Sequence, residues 1–274
     1  MELGNILDIK TDIKAEEGDY LQDGLLYCGK CNTPKQAKIK ILDEIKTPFC
    51  LCKCASERLN AEEQELKRLE REKEINKNRS IGFVDKDLLK CTFENDDRAN
   101  ERLTDLAQRY TNNFSLMREK GKGLLLFGGV GAGKTFISCC IANKLIDKGY
   151  SVLVTNFVRI VNTLQGMYDG KQDYIDGLNK FSLLVIDDLA SERDTEYMGE
   201  IMQNVIDARY RAGLPIIITT NLTGDELKHP QDLRKQRIYS RLFEMCIPYE
   251  VTGKDRRKEK LRDDMKQYKD ILGL

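Results

Sequence analysis

The sequence predicts an α/β fold: a parallel sheet of five strands with helices between them, preceded by a small cysteine-rich module and a charged helical linker. Three observations predict it. From residue 81 onward, short apolar runs alternate with amphipathic stretches, the pattern of strands joined by crossover helices. A glycine-rich loop lies between one of these runs and the helical stretch after it. Five of the nine cysteines crowd into residues 28–54, and a stretch of mixed charge follows them. At 274 residues the chain is long enough for one well-buried core plus an accessory unit, with boundaries expected at 1–56, 57–80 and 81–274.

The module comes first in chain order. Cys28-Gly-Lys-Cys31 is a C-x-x-C knuckle, which lets two thiolates take adjacent corners of a tetrahedral ion, and Cys50-Leu-Cys52-Lys-Cys54 offers the second pair. The spacing points to structural zinc, a closed shell of four thiolates stabilising a unit too small to bury a core by itself. Five cysteines compete for the four places. A disulfide or redox role fits poorly with the reducing compartment expected below. Cys91, Cys139, Cys140 and Cys246 lie in apolar surroundings and read as core filler. In the linker region, residues 55–79 carry seven acids and seven bases, with Leu59, Leu66, Leu69 and Ile75 as a thin apolar stripe. That predicts a solvated helix and not a coiled coil, because no series of heptads is sustained.

The sheet follows. Strands are expected at 123–127, 151–155, 181–186 and 215–219, with a weaker one near 246–251, and helices at 134–148, 158–168 and 195–212. The last helix meets Gly213 and then Pro215, a sound stop signal.

Between the first strand and the first of these helices, Gly128-Gly129-Val130-Gly131-Ala132-Gly133-Lys134-Thr135 fits G-x-x-x-x-G-K-[ST]. Its glycines let backbone N–H groups turn into a concavity that holds phosphate oxygens, and the helix N-terminus adds partial positive charge. Lys134 is expected to reach the β- and γ-phosphates, Thr135 to ligate magnesium, and Phe136 to border the loop. A magnesium-dependent triphosphatase also needs a carboxylate at the end of a neighbouring buried strand. Leu183-Leu-Val-Ile-Asp187-Asp188 supplies one: Asp187 on the metal side, Asp188 to orient or deprotonate the attacking water. Asn221, closing the run Pro215-Ile-Ile-Ile-Thr-Thr, can hold that water near the γ-phosphate. Downstream lie Arg237 and Arg241 on an expected helix, then Arg256 and Arg257 after a short strand.

Composition excludes several alternatives. Net charge is zero, so contact with nucleic acid has to come from a local patch. The only histidine, His229, precedes a proline in a turn-like stretch, which removes most Ser/His/Asp, Cys/His and histidine-metal chemistries. No apolar run approaches the roughly 20 residues of a membrane span, and the first residues lack a basic and apolar leader pattern; a cytoplasmic location is expected.

These residues resemble the AAA+ ATPases of the DnaC/DnaI helicase-loader group, including phage DnaC-like ATP-binding proteins. YCGKCNTPKQ, FCLCKC, CTFEN, LLLFGGVGAGKTFIS, LLVIDDLASERDTEY, NVIDARYRAGLPIIITTNLT, RIYSRLFEM and VTGKDRR carry the likeness over nearly the whole chain. It implies an AAA+ P-loop NTPase fold with ATP or ADP and Mg2+ between subunits of a homo-oligomer. It further implies Asn221 as sensor 1, Arg241 as the arginine finger with Arg237 its rival on the same helix face, and Arg256 or Arg257 as the sensor 2 arginine. The C-x-C ending of the phage members favours Cys28, Cys31, Cys52 and Cys54 as zinc ligands, with Cys50 the alternate. The resemblance implies a replicative hexameric helicase and single-stranded DNA as partners, DNA contact near 158–180, and a role in replication initiation at the primosome. Asp188 stands where glutamate is usual, which implies slow hydrolysis stimulated by a partner or by DNA. Rival readings are an IstB-like transposition-helper ATPase and a non-catalytic, nucleotide-switched adaptor for helicase or single-stranded DNA.

Overall fold

A computed structural model describes residues 15–41, 44–83, 85–189 and 195–256, together with Lys258, Met265, Tyr268, Lys269, Ile271 and Leu272. The chain divides into two compact units, Met1–Glu72 and Lys73–Leu274.

In the first unit, β1 (Tyr20–Gln22) and β2 (Leu25–Tyr27) form an antiparallel hairpin. Asp23 and Gly24 connect them with φ of 52° and 72°, the positive pair that a tight Asp-Gly hairpin turn requires. A second hairpin pairs β3 (Ile39–Ile41) with β4 (Glu44–Lys46). With three-residue strands and few buried apolar side chains, this unit has little hydrophobic core. A buried ion pair, Lys35 Nζ to Asp19 Oδ2 at 2.6 Å, and the buried Cys28 and Cys52 occupy its interior. Lys35 holds the Asp19 carboxyl down to about 2. Helix α1 (Lys53–Gly82) begins beside the second cysteine pair.

The second unit opens its core with α2 (Glu101–Asn112) and α3 (Phe114–Glu119). β5 (Gly123–Phe127), α4 (Lys134–Asp147), β6 (Val152–Thr155), α5 (Phe157–Gly166), α6 (Lys171–Gly177), β7 (Leu183–Leu189), α7 (Glu196–Arg211), β8 (Ile216–Thr220), α8 (Gly224–Lys228), α9 (Leu233–Met245) and β9 (Cys246–Glu250) follow. The five strands β5 to β9 are parallel, in the order β6-β7-β8-β5-β9. β5 therefore sits between β8 and β9, and the chain leaves it through α4 to reach the far edge. Ligand sites in open parallel sheets form outside the strand C-termini at such a reversal. One apolar layer, including Phe157, Leu164, Val205 and Leu242, covers one face of the sheet. Phe114, Ile141 and Leu145 belong to the layer on the other.

The first strand lies where the sequence places it, and the others shift by one to three residues. The largest shift is informative: β7 runs on to Leu189, past the expected end at Ile186. Its pairing with β8 slips between Ile186 and Leu189, and Asp188 takes φ of 59°. The carboxylates thus ride on a bulge inside a strand. The helix expected at 158–168 is α5, which buries Ile160, Val161 and Leu164, and the rest of the region to 180 holds the short α6, which buries Ile175. Arg209, fully buried near the end of α7, donates to the carbonyls of Leu178, Phe181, Ser182 and Pro215 at 2.8–3.3 Å. α9 passes into β9 with no residue between them.

Candidate nucleotide-binding site

The loop from Gly128 to Gly133 joins β5 to α4. Gly128 and Gly131 adopt φ of 127° and 75°. A Cβ on Gly128 would lie 2.6 Å from the Val251 carbonyl oxygen, and one on Gly131 would lie 2.0 Å from Asp255 Oδ1. Both conformation and space therefore demand glycine.

Lys134, buried at the first position of α4, donates from Nζ to the carbonyls of Gly128 and Gly129 at 2.8 and 2.7 Å and to Asn221 Oδ1 at 2.8 Å. Asn221 in turn donates from Nδ2 to Asp188 Oδ1 at 2.9 Å. Thr135 Oγ1 donates to Asp187 Oδ2 at 3.2 Å, and Thr219 Oγ1 donates to Asp187 Oδ1 at 2.6 Å while accepting from the Asp188 N–H at 2.8 Å. Groups separated by up to 87 positions in sequence thus meet at the C-terminal ends of three adjacent strands. They surround a cavity of about 260 Å³ whose walls also include Val130, Ala132, Gly133, Phe136 and Arg256. The Arg256 N–H donates to the Gly131 carbonyl at 3.2 Å, and its guanidinium pairs with Asp97 at 3.1 Å.

The structure brings together Lys134, Thr135, Asp187, Asp188, Asn221 and Arg256. It does not bring Arg241 or Arg237 to this cavity. Arg241 pairs with Asp207 on α7 and lies 5.9 Å from the centre of the Tyr210 ring, and Arg237 is exposed on the same helix. Arg257 lies outside the described residues. His229 is exposed at the end of α8. Two contributors went unnoticed in the sequence. Thr219 reads there as an ordinary β-branched strand residue; the only signal was its place two positions before Asn221. Asp97 carries no motif.

Hard oxygen donors, a threonine hydroxyl and a carboxylate, face the phosphate loop at Thr135 and Asp187, a donor set that suits Mg2+ completed by phosphate oxygens and water. In the other unit, the sulfurs of Cys28, Cys31, Cys52 and Cys54 all lie within 4.8 Å of one another, with Cys54 Sγ 3.6 Å from Cys28 Sγ and 3.5 Å from Cys52 Sγ. A tetrahedron built on Zn–S bonds of about 2.3 Å has edges of about 3.8 Å, so the four thiols fit zinc. Cys50 points elsewhere, its sulfur 3.6 Å from the Pro34 carbonyl oxygen. The Thr33 hydroxyl and the Cys54 N–H hold the Cys31 thiol down to about 6. The crowding sulfurs of Cys52, Cys31 and Cys28 push Cys54 up to about 12, the repulsion that a bound dication relieves.

The family of IstB-like ATP binding proteins matches residues 56–263. The chain belongs to that family. Among curated relatives, the replicative helicase loader DnaI of Bacillus subtilis (strain 168) is 30% identical over 191 residues, covering 64% of this chain and 61% of DnaI. The crystal structure of DnaI superposes with a TM-score of 0.52 at 22% identity, covering 62% of this chain and 96% of that one. That of the DnaC helicase loader gives 0.51 at 22%, covering 61% and 100%. This IstB-like protein is homologous to the DnaI and DnaC loaders and shares their α/β fold. It spans 47% to 62% of the length of the first curated relatives it matches. Among the described residues, no helix is long and apolar enough to cross a membrane.

Proposed function

We propose that this protein is an ATP-hydrolysing loader that binds a replicative hexameric helicase and helps place it on single-stranded DNA. The observation that carries the reading is the closed set of contacts from Lys134 through Asn221 to Asp188 and from Thr135 to Asp187, in a chain homologous to helicase loaders. In this reading the backbone N–H groups of residues 128–133 and Lys134 hold the β- and γ-phosphates. Thr135 and Asp187 would hold magnesium, whose charge would offset that developing on the transferring phosphoryl group. Asp188 orients the attacking water and takes its proton, and Asn221 fixes the Asp188 carboxylate. An aspartate reaches less far than a glutamate, so unstimulated turnover is slow and rises with partner or DNA. Arg241, remote from its own cavity, acts on the nucleotide of a neighbouring protomer, with Arg256 as the sensor on the protomer's own. Residues 1–56 form the zinc module that grips the helicase, 57–80 the linker and 81–274 the ATPase domain, with DNA contact near 158–180.

The test is the mass, by light scattering after gel filtration, of this protein mixed with candidate hexameric helicases, with an ATP analogue or ADP. A nucleotide-sensitive complex, lost on deletion of residues 1–60, is expected; absence of a complex with every helicase tried overturns the loader reading. Lys134→Ala should abolish productive nucleotide binding and leave the zinc content unchanged. The family match favours one second reading, a transposition-helper ATPase of the IstB type, for which stable filaments on duplex DNA without helicase are the signature. Tight ATP binding with negligible turnover, even with DNA and helicase present, would mark a nucleotide-switched adaptor instead.

A further inference from the structure

Arg256 reaches the nucleotide cavity with its side chain tied to a second segment, residues 96–100. That segment is a tight turn. The Arg98 N–H donates to Asp96 Oδ1 at 3.1 Å and the Ala99 N–H to Asp97 Oδ1 at 3.0 Å. Arg98 takes φ of 54°, a left-handed conformation that a residue with a long side chain seldom adopts. Local strain of this kind persists only where the surroundings over-determine it. Here they do. The Thr104 hydroxyl donates to Asp96, and Arg98 pairs with Asp105 at 2.9 Å. Asn100 caps α2 by accepting from the Leu103 N–H at 3.2 Å, and its amide donates to the Thr252 carbonyl at 2.9 Å, four positions before Arg256.

What the fastened turn presents is the Asp97 carboxylate, 3.1 Å from Arg256 Nη2. The guanidinium it engages lies over the phosphate loop: Cζ is 3.9 Å, and Nε 4.0 Å, from the position of a Cβ on Gly133. A guanidinium carries five N–H donors in a rigid planar fork, so an anchor at one edge sets the direction of the rest.

We infer that Asp97 is a positioning residue: it holds one edge of the Arg256 guanidinium so that the remaining donors face the terminal phosphate of a nucleoside triphosphate, giving the cavity its preference for triphosphate over diphosphate. This rests on the phosphate-site reading above. The effect is expected at the γ-phosphate, where Arg256 adds its donors to those of the loop and Lys134, and not at the β-phosphate, which the loop and Lys134 hold without it.

The experiment is a double-mutant cycle read by anisotropy of fluorescently labelled ATP and ADP with Mg2+, on the full chain. Asp97→Asn keeps an acceptor for the Ala99 N–H and so keeps the turn, and removes the charge; Asp97→Ser does the same through its hydroxyl and guards against a fault peculiar to one variant. Both should weaken ATP analogue binding roughly 3- to 30-fold, within the range of coupling between contacting residues, and change ADP affinity by less than about twofold, the low end of that range. In an Arg256→Ala background neither should have any further effect. An equal loss for both nucleotides, the same loss in the Arg256→Ala background, or unchanged ATP affinity overturns the assignment. Lys134→Ala separates the two readings. If it leaves both affinities intact, the phosphate site itself is wrong; if it abolishes binding while the Asp97 variants are silent, only the role of Asp97 falls.

Discussion

Arg209 has no accessible surface, and its guanidinium donates to four backbone carbonyls. Burial pushes its pKa down to about 10, still well above neutrality, so the cation persists and the carbonyls do the work of an anion. These carbonyls belong to the turn after α6, the entry to β7 and the entry to β8, which makes one side chain the clamp on the lower end of the sheet. Replacing it by methionine fills the volume and strands several buried acceptors, each of which costs about 1–3 kcal/mol when unpaired. Arg209→Met should therefore destabilise the second unit by about 3 kcal/mol or more, measured by denaturant unfolding, and Arg209→Lys should recover little, because an ammonium lacks the planar fork. Thr219 is the comparable residue in the site. Its hydroxyl joins Asp187 to the Asp188 backbone, so Thr219→Val should leave nucleotide affinity without metal near wild type and lower magnesium-dependent turnover about tenfold, roughly 1.4 kcal/mol of barrier.

At the scale of elements, legibility followed from how local the determining physics is. The phosphate loop was visible because the backbone conformation it needs admits glycine at Gly128 and Gly131, and a run of such residues beside an apolar strand is rare by chance. β5 was legible because GLLLF is apolar throughout and buried on both faces. β7 was misread at its end since a bulge depends on the neighbouring strand: nothing in Ile186-Asp187-Asp188-Leu189 announces that Thr219 will bond both to the Asp187 carboxylate and to the Asp188 N–H. The turn holding Asp97 was invisible for the same reason, as its partner lies 159 positions away. The cysteine spacing reduced the choice of zinc ligands without completing it, because C-x-C and C-x-x-x-C are both able to close a shell. Side-chain direction separates the candidates: the sulfurs of Cys52 and Cys54 join those of Cys28 and Cys31, and that of Cys50 lies beside the Pro34 carbonyl. Cys52→Ser and Cys54→Ser should each lose the single equivalent of zinc expected here, whereas Cys50→Ser should retain it, as read by metal analysis of the purified proteins. A strong chelator should unfold the cysteine-bearing module and leave the melting of the second unit in place.

For the whole molecule, the sheet order gathers Lys134, Asp187, Asp188 and Asn221 on one rim, and Arg241 does not line that cavity. If that arginine acts between protomers, two defective proteins repair each other. Lys134→Ala and Arg241→Ala should each be inactive alone, and their mixture should regain ATPase activity, because a neighbour with an intact Arg241 can serve a cavity with an intact Lys134. Absence of recovery in a mixture shown to co-assemble would remove Arg241 from the role.

The direct passage of α9 into β9 has a mechanical meaning. With no loop between Met245 and Cys246, a displacement of the Arg241 helix has no slack in which to dissipate. β9 is hydrogen-bonded along β5, and the Val251 N–H donates to the Phe127 carbonyl at 2.7 Å, immediately before the phosphate loop begins. Five residues further on stands Arg256. From Arg241 to Glu250 the run contains no loop, and it joins a helix away from the cavity to the strand beside the phosphate loop, with Arg256 lining the cavity beyond it. If Arg241 acts on a neighbour's nucleotide, a displacement at that end is carried along β9 to the loop of this chain's own pocket.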